Sequence, residues 1–297
     1  MTHACAPPRP EPDSALKTPK RIVPLVEDGL VDEVLRPLMS GKEATVYLVR
    51  CGHDIRCAKV YKDAAARSFK KAVQYQEGRK GRNSRRQRAM EKGSRFGRDE
   101  QEKAWQMAEV HALYRLRDAG VRVPEPYGCF DGVLLMELIT DADGEVAPRL
   151  NDIRLPVERV EQDHASLMQS ILRMLCEGLV HGDLSEFNVL MAADGPVIID
   201  LPQAVDAAGN NNAPAMLARD VANITRYYAQ YVPALAQTRY AEEIWSLFEA
   251  GDLHPDSPLT GTYVEDERRA DVGSVLHQIQ EAFREEMERR ERLLDDD

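Results

Sequence analysis

The chain has 297 residues, a hydrophobic content of 43% and a formal net charge of -11 at pH 7. This length is sufficient for one large domain or two lobes with an ordinary core, and neither length nor composition suggests a repeat protein or a disordered one. The negative charge argues against nucleic-acid binding over the whole surface. The five cysteines have no Cys-x-x-Cys spacing typical of a zinc or redox site, so reduced thiols are expected.

The N-terminal segment, residues 1–30, is predicted to be a disordered tail and a lead-in to the first strand. Up to Arg21 it is rich in proline and polar residues and lacks the apolar stretch of a signal peptide. No later apolar run approaches the length that spans a membrane. A cytoplasmic protein without membrane association is therefore expected.

Three strands are predicted next. Residues 31–38 lead into a glycine-containing loop around Gly41, after which Thr45–Arg50 has strand composition. The third strand, Arg56–Tyr61, carries Lys59 between apolar and β-branched neighbours. In protein kinases a lysine on this strand holds the α- and β-phosphates of ATP and pairs with a glutamate on the next helix. A lysine whose stem covers apolar surface while its charge reaches water is the alternative.

Residues 70–98 are strongly basic. Eleven lysines and arginines stand against two glutamates, a local net charge of +9 that leaves -20 for the rest of the chain. Four glycines are interspersed. The segment is predicted to be a flexible basic insert that contacts phosphate, RNA or an acidic partner, and a solvated loop with no specific partner is the alternative.

A helix is predicted over about Asp99–Asp118 from its apolar residues at helical spacing. Glu109 lies on this helix and is the candidate partner of Lys59, although a surface glutamate in an i,i+4 contact would give the same sequence. After Pro124–Pro126, the apolar run Val133–Ile139 predicts a buried strand. This strand runs into a linker where we expect adenine to bind.

The most informative segment follows a second predicted helix, Val157–Glu177. His181-Gly182-Asp183 is followed by Asn188, and this Asp-x-x-x-x-Asn spacing is typical of a loop in which the aspartate faces the attacking hydroxyl and the asparagine binds magnesium. Two short strands around the Asp194-Gly195 turn predict a hairpin that returns Asp200 to Asn188. A polar turn with Asp183 as a cap would explain the first motif alone. The combination favours an ATP-dependent phosphotransferase.

Three helices are predicted downstream. They cover residues 213–231, residues 239–250 and the amphipathic stretch from Val272 to Met287. We expect the last of them to pack on the larger lobe, with partner binding as the alternative.

Five separated motifs resemble the RIO family of atypical protein kinases. They occur in the family's order: Ser40–Tyr47, Lys59–Lys62, Pro124–Pro126, His181–Asn188 and Ile199–Val205. The resemblance implies an α+β, two-lobed protein-kinase-like fold with a small antiparallel β-sheet N-lobe, one main helix in that lobe and a mostly helical C-lobe. The expected boundaries are 31–137 for the N-lobe, 138–250 for the C-lobe and 251–297 for a C-terminal extension.

The same resemblance implies a serine/threonine protein kinase that uses ATP with Mg²⁺ or Mn²⁺, with autophosphorylation and ATPase-switch behaviour as further activities. Asp183 would be the catalytic aspartate, Lys59 the phosphate-binding lysine and Glu109 its partner. Asn188 and Asp200 would bind the metal. Further ATP-binding residues are expected in the loop and the linker: Ser40, Gly41, Lys42, Glu43, Ala44, Val46, Met136, Glu137 and Ile139.

Family members lack the activation segment with which ordinary kinases bind extended peptides. The expected substrate is therefore a folded protein, a ribonucleoprotein or the enzyme itself, with Ser84 and Ser94 as candidate autophosphorylation sites. The basic insert is the expected contact for RNA or a ribosomal particle. Thr45 and Pro202 stand where the family usually has asparagine and serine, but neither change removes a catalytic group.

Two other functions fit parts of the pattern. Aminoglycoside and choline phosphotransferases also use a His-Gly-Asp loop and an Ile-Asp strand end, although the Ser40–Ala44 loop and Gln203–Val205 argue against them. A non-catalytic, nucleotide-responsive ribosome-assembly factor would dock through the basic insert and use ATP only as a switch.

Overall fold

A computed structural model describes residues 18–41, 43–62 and 95–264, with side chains of the long helix described from residue 107 onward. The strands within these ranges are β1 Glu33–Ser40, β2 Ala44–Cys51, β3 Asp54–Tyr61, β4 Pro126–Phe130, β5 Val133–Glu137, β6 Leu179–Val180, β7 Val189–Ala192, β8 Gly195–Ile198 and β9 Val205–Asp206. The α-helices are α1 Val23–Glu27, α2 Arg95–Asp118, α3 Val157–Cys176, α4 Ala213–Tyr228 and α5 Tyr240–Ala250. Lys42, most of the predicted basic insert and the predicted helix 272–287 lie outside the described residues.

An antiparallel five-stranded sheet of order β1-β2-β3-β5-β4 forms the smaller lobe. Val46 of β2 and Leu134 of β5 lie opposite Lys59 of β3 in the ladders. Directly opposed residues in a sheet share a face, so these two apolar side chains flank the lysine. This face of the sheet looks onto the site.

The other face of the sheet is covered by the segment before β1. Ile22, Leu25 and Val31 are buried and pack with Val49 and Ala58. Burying each of these aliphatic side chains contributes about 2 kcal/mol. The later residues of the predicted tail and lead-in, 22–30, thus pack on the sheet, because their few apolar side chains close its outer face.

The larger lobe is mostly helical, as predicted. Helix α3 packs on α4, and α4 packs on α5. The apolar stripe of α3 lies in the core, with Val160, Leu167, Ile171 and Leu175 all buried. The α+β, two-lobed arrangement predicted from the sequence is thereby confirmed.

Residues 251–264 return onto the larger lobe rather than leaving it. Glu243 of α5 accepts hydrogen bonds from the N–H groups of Thr260 and Gly261, both at 2.8 Å. Arg173 of α3 donates to the carbonyl oxygen of Pro255 at 3.3 Å. The first part of the predicted C-terminal extension therefore belongs to the packed lobe.

Several predicted boundaries differ by a few residues. Helix α2 begins at Arg95 rather than Asp99, so the last four residues of the predicted insert are helical, and Gly97 costs only about 1 kcal/mol within a helix. Strand β5 ends at Glu137 because the carbonyl oxygen of Ile139 accepts the N–H of Ala147, at 3.0 Å, instead of a sheet partner. No helix in the described ranges is both long and apolar enough to cross a membrane.

Candidate active site

The ammonium group of Lys59 lies between two carboxylates. Its Nζ donates to Glu109 Oε1 at 2.6 Å and to Asp200 Oδ1 at 3.0 Å. Tyr61 Oη donates to the second oxygen of Glu109, also at 2.6 Å. Glu109 is only 2% exposed and Lys59 8% exposed, which excludes a surface role for this glutamate. One cation thus joins α2 of the small lobe to the segment after β8 of the large lobe.

Lys59 and Asp200 stabilise each other in their ionised forms. Burial by itself lowers the pKa of Lys59, but the carboxylates of Glu109 and Asp200 outweigh burial, so the pKa of Lys59 is raised. For Asp200 burial acts in the opposite direction, and Lys59 together with His181 and Arg149 lowers the pKa of its carboxyl group overall. The Asp200 side chain is 46% exposed. An anionic oxygen is therefore accessible beside a fixed cation.

The loop that carries Asp183 is held by α4 from below. Asp220, 1% exposed, accepts the N–H of Gly182 at 2.7 Å through Oδ2 and the N–H of Leu184 at 2.9 Å through Oδ1. Arg219 donates to the carbonyl oxygen of Gly182, and Asn223 Nδ2 to that of Leu184 at 3.0 Å. Helix α4 thus binds the backbone on both sides of Asp183.

Glycine at position 182 is explained by the backbone of this loop. Its φ is +82°, a conformation that a residue with a Cβ atom adopts at a cost. The turn lets the chain bring two N–H groups to one carboxylate. The side chain of Asp183 itself is exposed, and Gln203 Nε2 lies 3.4 Å from its Oδ2.

His181 connects this loop to the segment before Asp200. Its Nδ1 accepts the N–H of Asp183 at 3.3 Å, and its Nε2 lies 3.1 Å from the carbonyl oxygen of Ile199. Since Nδ1 accepts, Nε2 carries the proton and donates to Ile199. The buried histidine thus connects the Asp183 loop to the segment of Asp200 by hydrogen bonds.

Asn188 and Asp200 lie together at the base of the β7–β8 hairpin. The N–H of Ile199 donates to the carbonyl oxygen of Asn188 at 3.0 Å. Asn188 Nδ2 donates to the carbonyl oxygen of Asp183 at 2.9 Å, so the amide oxygen is the atom that can bind a metal. Asp200 has a φ of +68°, which aspartate tolerates better than most residues.

The donor set at this point suits magnesium. No cluster of three His, Cys, Asp or Glu side chains that could hold a metal ion occurs in the described part of the chain. Magnesium, however, is often bound by one or two carboxylates with substrate phosphates and water. One carboxylate and one carboxamide oxygen on a fixed hairpin meet that requirement.

The glycine-containing loop is a tight turn closed by a lysine. The N–H of Gly41 donates to the carbonyl oxygen of Ala44 at 2.9 Å. Lys62 Nζ, just beyond β3, donates to the carbonyl oxygen of Gly41 at 2.6 Å and to Ser40 Oγ at 3.2 Å. The backbone N–H of Lys62 donates to the carbonyl oxygen of Glu43. The turn therefore sits over the end of the strand that carries Lys59.

Glu137, a predicted ATP-binding residue of the linker, has its side chain bound within the protein. Both carboxylate oxygens of Glu137 are bound by Arg122, at 2.9 and 3.0 Å, and the N–H of Glu125 also donates to this carboxylate. A contact of Glu137 with ATP is thus limited to its backbone. Met136 packs against the core and Ile139 is buried, so both are apolar neighbours of the linker.

Sequence reasoning missed the residues that support the site. The sequence contains one sign of the supporting role of Asp220. It is a lone carboxylate on the buried face of α4, between Met216 and Ile224 at i-4 and i+4. The sequence contains no such sign for Arg122, since a single arginine before a proline-rich turn resembles any surface cation. Both act through contacts with residues distant in sequence.

Comparison with known proteins agrees with this geometry. The family model of the RIO domain matches residues 45–241. The RIO-type serine/threonine-protein kinase Rio1 of Haloferax volcanii is 34% identical over 210 residues, which cover 70% of this chain and 67% of that protein. The chain belongs to the RIO family. The prediction of a RIO-type protein kinase is therefore confirmed.

More distant similarities extend to eukaryotes and to other kinases. The serine/threonine-protein kinase RIO1 of Homo sapiens is 30% identical over 217 residues, which cover 71% of this RIO-family chain but 36% of the human protein. The solved kinase domain of Mycobacterium tuberculosis PknI is 16% identical with a TM-score of 0.39, over 69% of this chain and 83% of that domain.

Proposed function

We propose that this RIO-family chain transfers the γ-phosphate of ATP to serine or threonine hydroxyls of a protein. The observation that carries the proposal is the ion-paired group Glu109–Lys59–Asp200. It sets a charged lysine and an accessible carboxylate between the two lobes. The relatives named as serine/threonine-protein kinases support the acceptor class.

The described residues divide the work as follows. Lys59 binds the α- and β-phosphates, and Glu109 and Tyr61 hold it in place. Adenine binds at the linker near Ile139, and the turn at Gly41 covers the phosphates. Asp183 accepts the proton of the acceptor hydroxyl, whose oxygen bonds to the γ-phosphorus as the bond to the β,γ-bridging oxygen breaks and ADP leaves. Asn188 and Asp200 would hold magnesium, which would supply positive charge to neutralise the phosphates.

The decisive experiment measures label transfer from γ-labelled ATP with the Asp183→Ala and Lys59→Ala variants. We expect a loss of at least about a thousandfold in each, because each removes a group that acts on the reacting phosphate. Asp252→Ala, an exposed aspartate beyond α5, serves as the control and should transfer like wild type. Wild-type rates in either site variant, with the proteins folded, would exclude the assigned roles.

Mass spectrometry of the product distinguishes a protein kinase from an ATPase switch. Phosphoserine or phosphothreonine in a protein supports the proposed kinase. An aspartyl phosphate on Asp200, with ATP turnover and no protein labelling, would instead indicate an ATPase switch. The same samples test autophosphorylation at Ser84 and Ser94, which lie outside the described residues.

We also propose that the basic segment, residues 70–98, contacts RNA or a ribosomal particle, and that the protein acts in the cytoplasm. The support is its local charge of +9 in a chain of net charge -11. Binding of RNA should weaken steeply with salt, because each neutralised phosphate releases counterions. Binding that does not respond to salt, or that survives neutral substitutions at Arg85, Arg86 and Arg88, would contradict the contact.

A further inference from the structure

Arg122, between α2 and β4, makes a three-point contact with two carboxylates. Its Nη1 and Nη2 donate to the two oxygens of Glu137 at 2.9 and 3.0 Å, and its Nε donates to Asp194 Oδ2 at 3.3 Å. Nη1 also lies 3.2 Å from the carbonyl oxygen of Val123. All three guanidinium nitrogens are thereby used.

The partners of Arg122 come from the two segments that the proposed reaction must align. Glu137 is the last residue of β5, where the linker for adenine begins. Asp194 lies in the turn of the β7–β8 hairpin, which carries Asn188 at one end and leads to Asp200 at the other.

The backbone of Arg122 adds a further connection. Its carbonyl oxygen accepts the N–H of Ile198 at 3.0 Å, two residues before Asp200. The side chain and the main chain of one residue therefore bind both the linker and the metal-binding hairpin.

We propose that Arg122 is a positioning residue that keeps the adenine linker and the metal-binding hairpin in one fixed alignment. The inference rests on the proposed function, since it assigns a role in the same reaction. A planar arginine fork fixes direction as well as distance, whereas a lysine supplies only a point charge. The N–H of Glu125 donates to Glu137 Oε2 at 3.1 Å and so gives this carboxylate a further partner beside the fork.

An ordinary surface ion pair is the competing explanation. The side chains of Arg122 and Glu137 are 36% and 27% exposed, and exposed pairs contribute little to stability. Arg117 provides the comparison. It is 38% exposed and binds Asp118 through Nε and Nη2. Its Nη1 lies 3.7 Å from Glu125 Oε1, and among the described residues it is paired with neither Glu137 nor Asp194. If side-chain exposure alone decides the effect of a substitution, Arg122→Gln and Arg117→Gln should change kcat equally.

The test measures ADP release and protein labelling for Arg122→Gln, Glu137→Gln, their double variant, Arg122→Lys and the control Arg117→Gln. Loss of alignment should lower kcat by about tenfold, since small displacements of bound reactants are costly. KM for ATP and the affinity for fluorescent mant-ADP with magnesium should change less than about threefold, because each half of the nucleotide site persists.

The double variant should be no worse than either single variant, since both remove one shared contact. Arg122→Lys should remain close to Arg122→Gln, and it also serves if the glutamine variant fails to fold. Arg117→Gln should match wild type.

Unchanged kcat in Arg122→Gln and Arg122→Lys would overturn the inference, and so would a raised kcat, which would identify the contact as a restraint on lobe closure. Full activity of Arg122→Lys beside an inactive Arg122→Gln would assign the effect to charge and contradict alignment by the fork. Wild-type protein that releases ADP but labels no protein would contradict the proposed function alone, and ADP release would then decide the inference. Wild-type protein without ATP turnover would contradict both.

Discussion

The two aspartates of the site, Asp200 and Asp183, are held in different ways. Asp200 is fixed through its side chain, by the charge of Lys59. Asp183 is fixed through its neighbours' backbone, which Asp220 and Asn223 bind from α4, while its own side chain remains exposed. A side chain held by an ion pair can exchange partners when phosphate arrives, but a loop held by buried backbone hydrogen bonds stays in place.

The difference corresponds to the two tasks. In the proposed reaction, bound phosphate would bring charge of its own, so the ion pairs of Lys59 would rearrange on binding. The role proposed for Asp183 requires one carboxylate oxygen in a constant position facing a hydroxyl group. Preorganised polar groups of this kind need no rearrangement at the moment of reaction.

The largest expected effect comes from Asp220→Ala. It leaves the buried N–H groups of Gly182 and Leu184 without their acceptor, so the free energy of unfolding should fall by about 3 kcal/mol, and phosphate transfer should fall with it. Chemical denaturation and the transfer assay measure the two losses. Asp220→Asn retains one acceptor oxygen and should lose less. A change below about 0.5 kcal/mol, typical of surface substitutions, would show that α4 does not support the loop.

A pH effect of similar size is expected at His164, which binds Thr225 of α4 at 3.0 Å. Burial lowers the pKa of His164 to about 4 from 6.5. The folded state thus binds this proton less well than the unfolded state, so stability rises with pH between about 4 and 6.5 and is lost as pH falls through that window. The loss should approach about 3 kcal/mol.

His164→Gln should remove this part of the pH dependence, measured by denaturation at several pH values. His254→Gln, at an exposed histidine, is the matched control and should retain it. Equal pH profiles for wild type and His164→Gln would contradict the assignment. Because His164 contacts α4, the experiment also tests whether the hydrogen bonds from α4 to the Asp183 loop weaken in acid.

A smaller effect is expected from Glu109→Gln. The variant keeps the shape but removes the charge that holds Lys59, so kcat/KM for ATP should fall by about a hundredfold, equivalent to about 2.7 kcal/mol. The free energy of unfolding should also fall, by about 1–2 kcal/mol, because a buried ion pair is broken. This loss should stay below that of Asp220→Ala, since Asp200 still pairs with Lys59. Steady-state kinetics and thermal melting measure both, with Glu242→Gln on α5 as the control. A large loss of stability with unchanged kinetics would show that Glu109 supports the fold and does not position Lys59 for the reaction.

The smallest effect is expected from Tyr61→Phe. It removes the hydrogen bond to Glu109 Oε2 and should cost about 1 kcal/mol of stability. Transfer should fall by only about threefold, because Lys59 still holds the other oxygen of Glu109. A loss as large as that of Glu109→Gln in the same assays would show that Tyr61, rather than Lys59, positions this carboxylate.

The sequence anticipated the elements that depend on short-range patterns. The apolar stripe of α3 is buried as predicted, and Lys59 lies on a strand with apolar neighbours on its own face. The hairpin after Asn188 followed from two short apolar runs around Asp194-Gly195. Such patterns are legible because strands repeat every two residues and helices every 3.6.

Local composition did not reveal the contacts that distant segments make. The composition of residues 19–30 resembles that of a loose lead-in, but Ile22 and Leu25 close the outer face of the sheet. Glu137 resembles a polar linker residue, yet its side chain is bound by Arg122. The helix around Gly97 begins earlier than its glycine suggests, because the cost of one glycine is small.

By itself, then, the sequence determined the order of the elements, the identity of Lys59, Asp183, Asn188 and Asp200 as chemical candidates, and the family. Spacing and residue type suffice for these, since they depend on neighbours along the chain. Only the tertiary structure decided which groups hold the candidates: Asp220 beneath the loop, and Arg122 between linker and hairpin. Those contacts arise from burial and charge between segments far apart in the chain, for which no local periodicity exists.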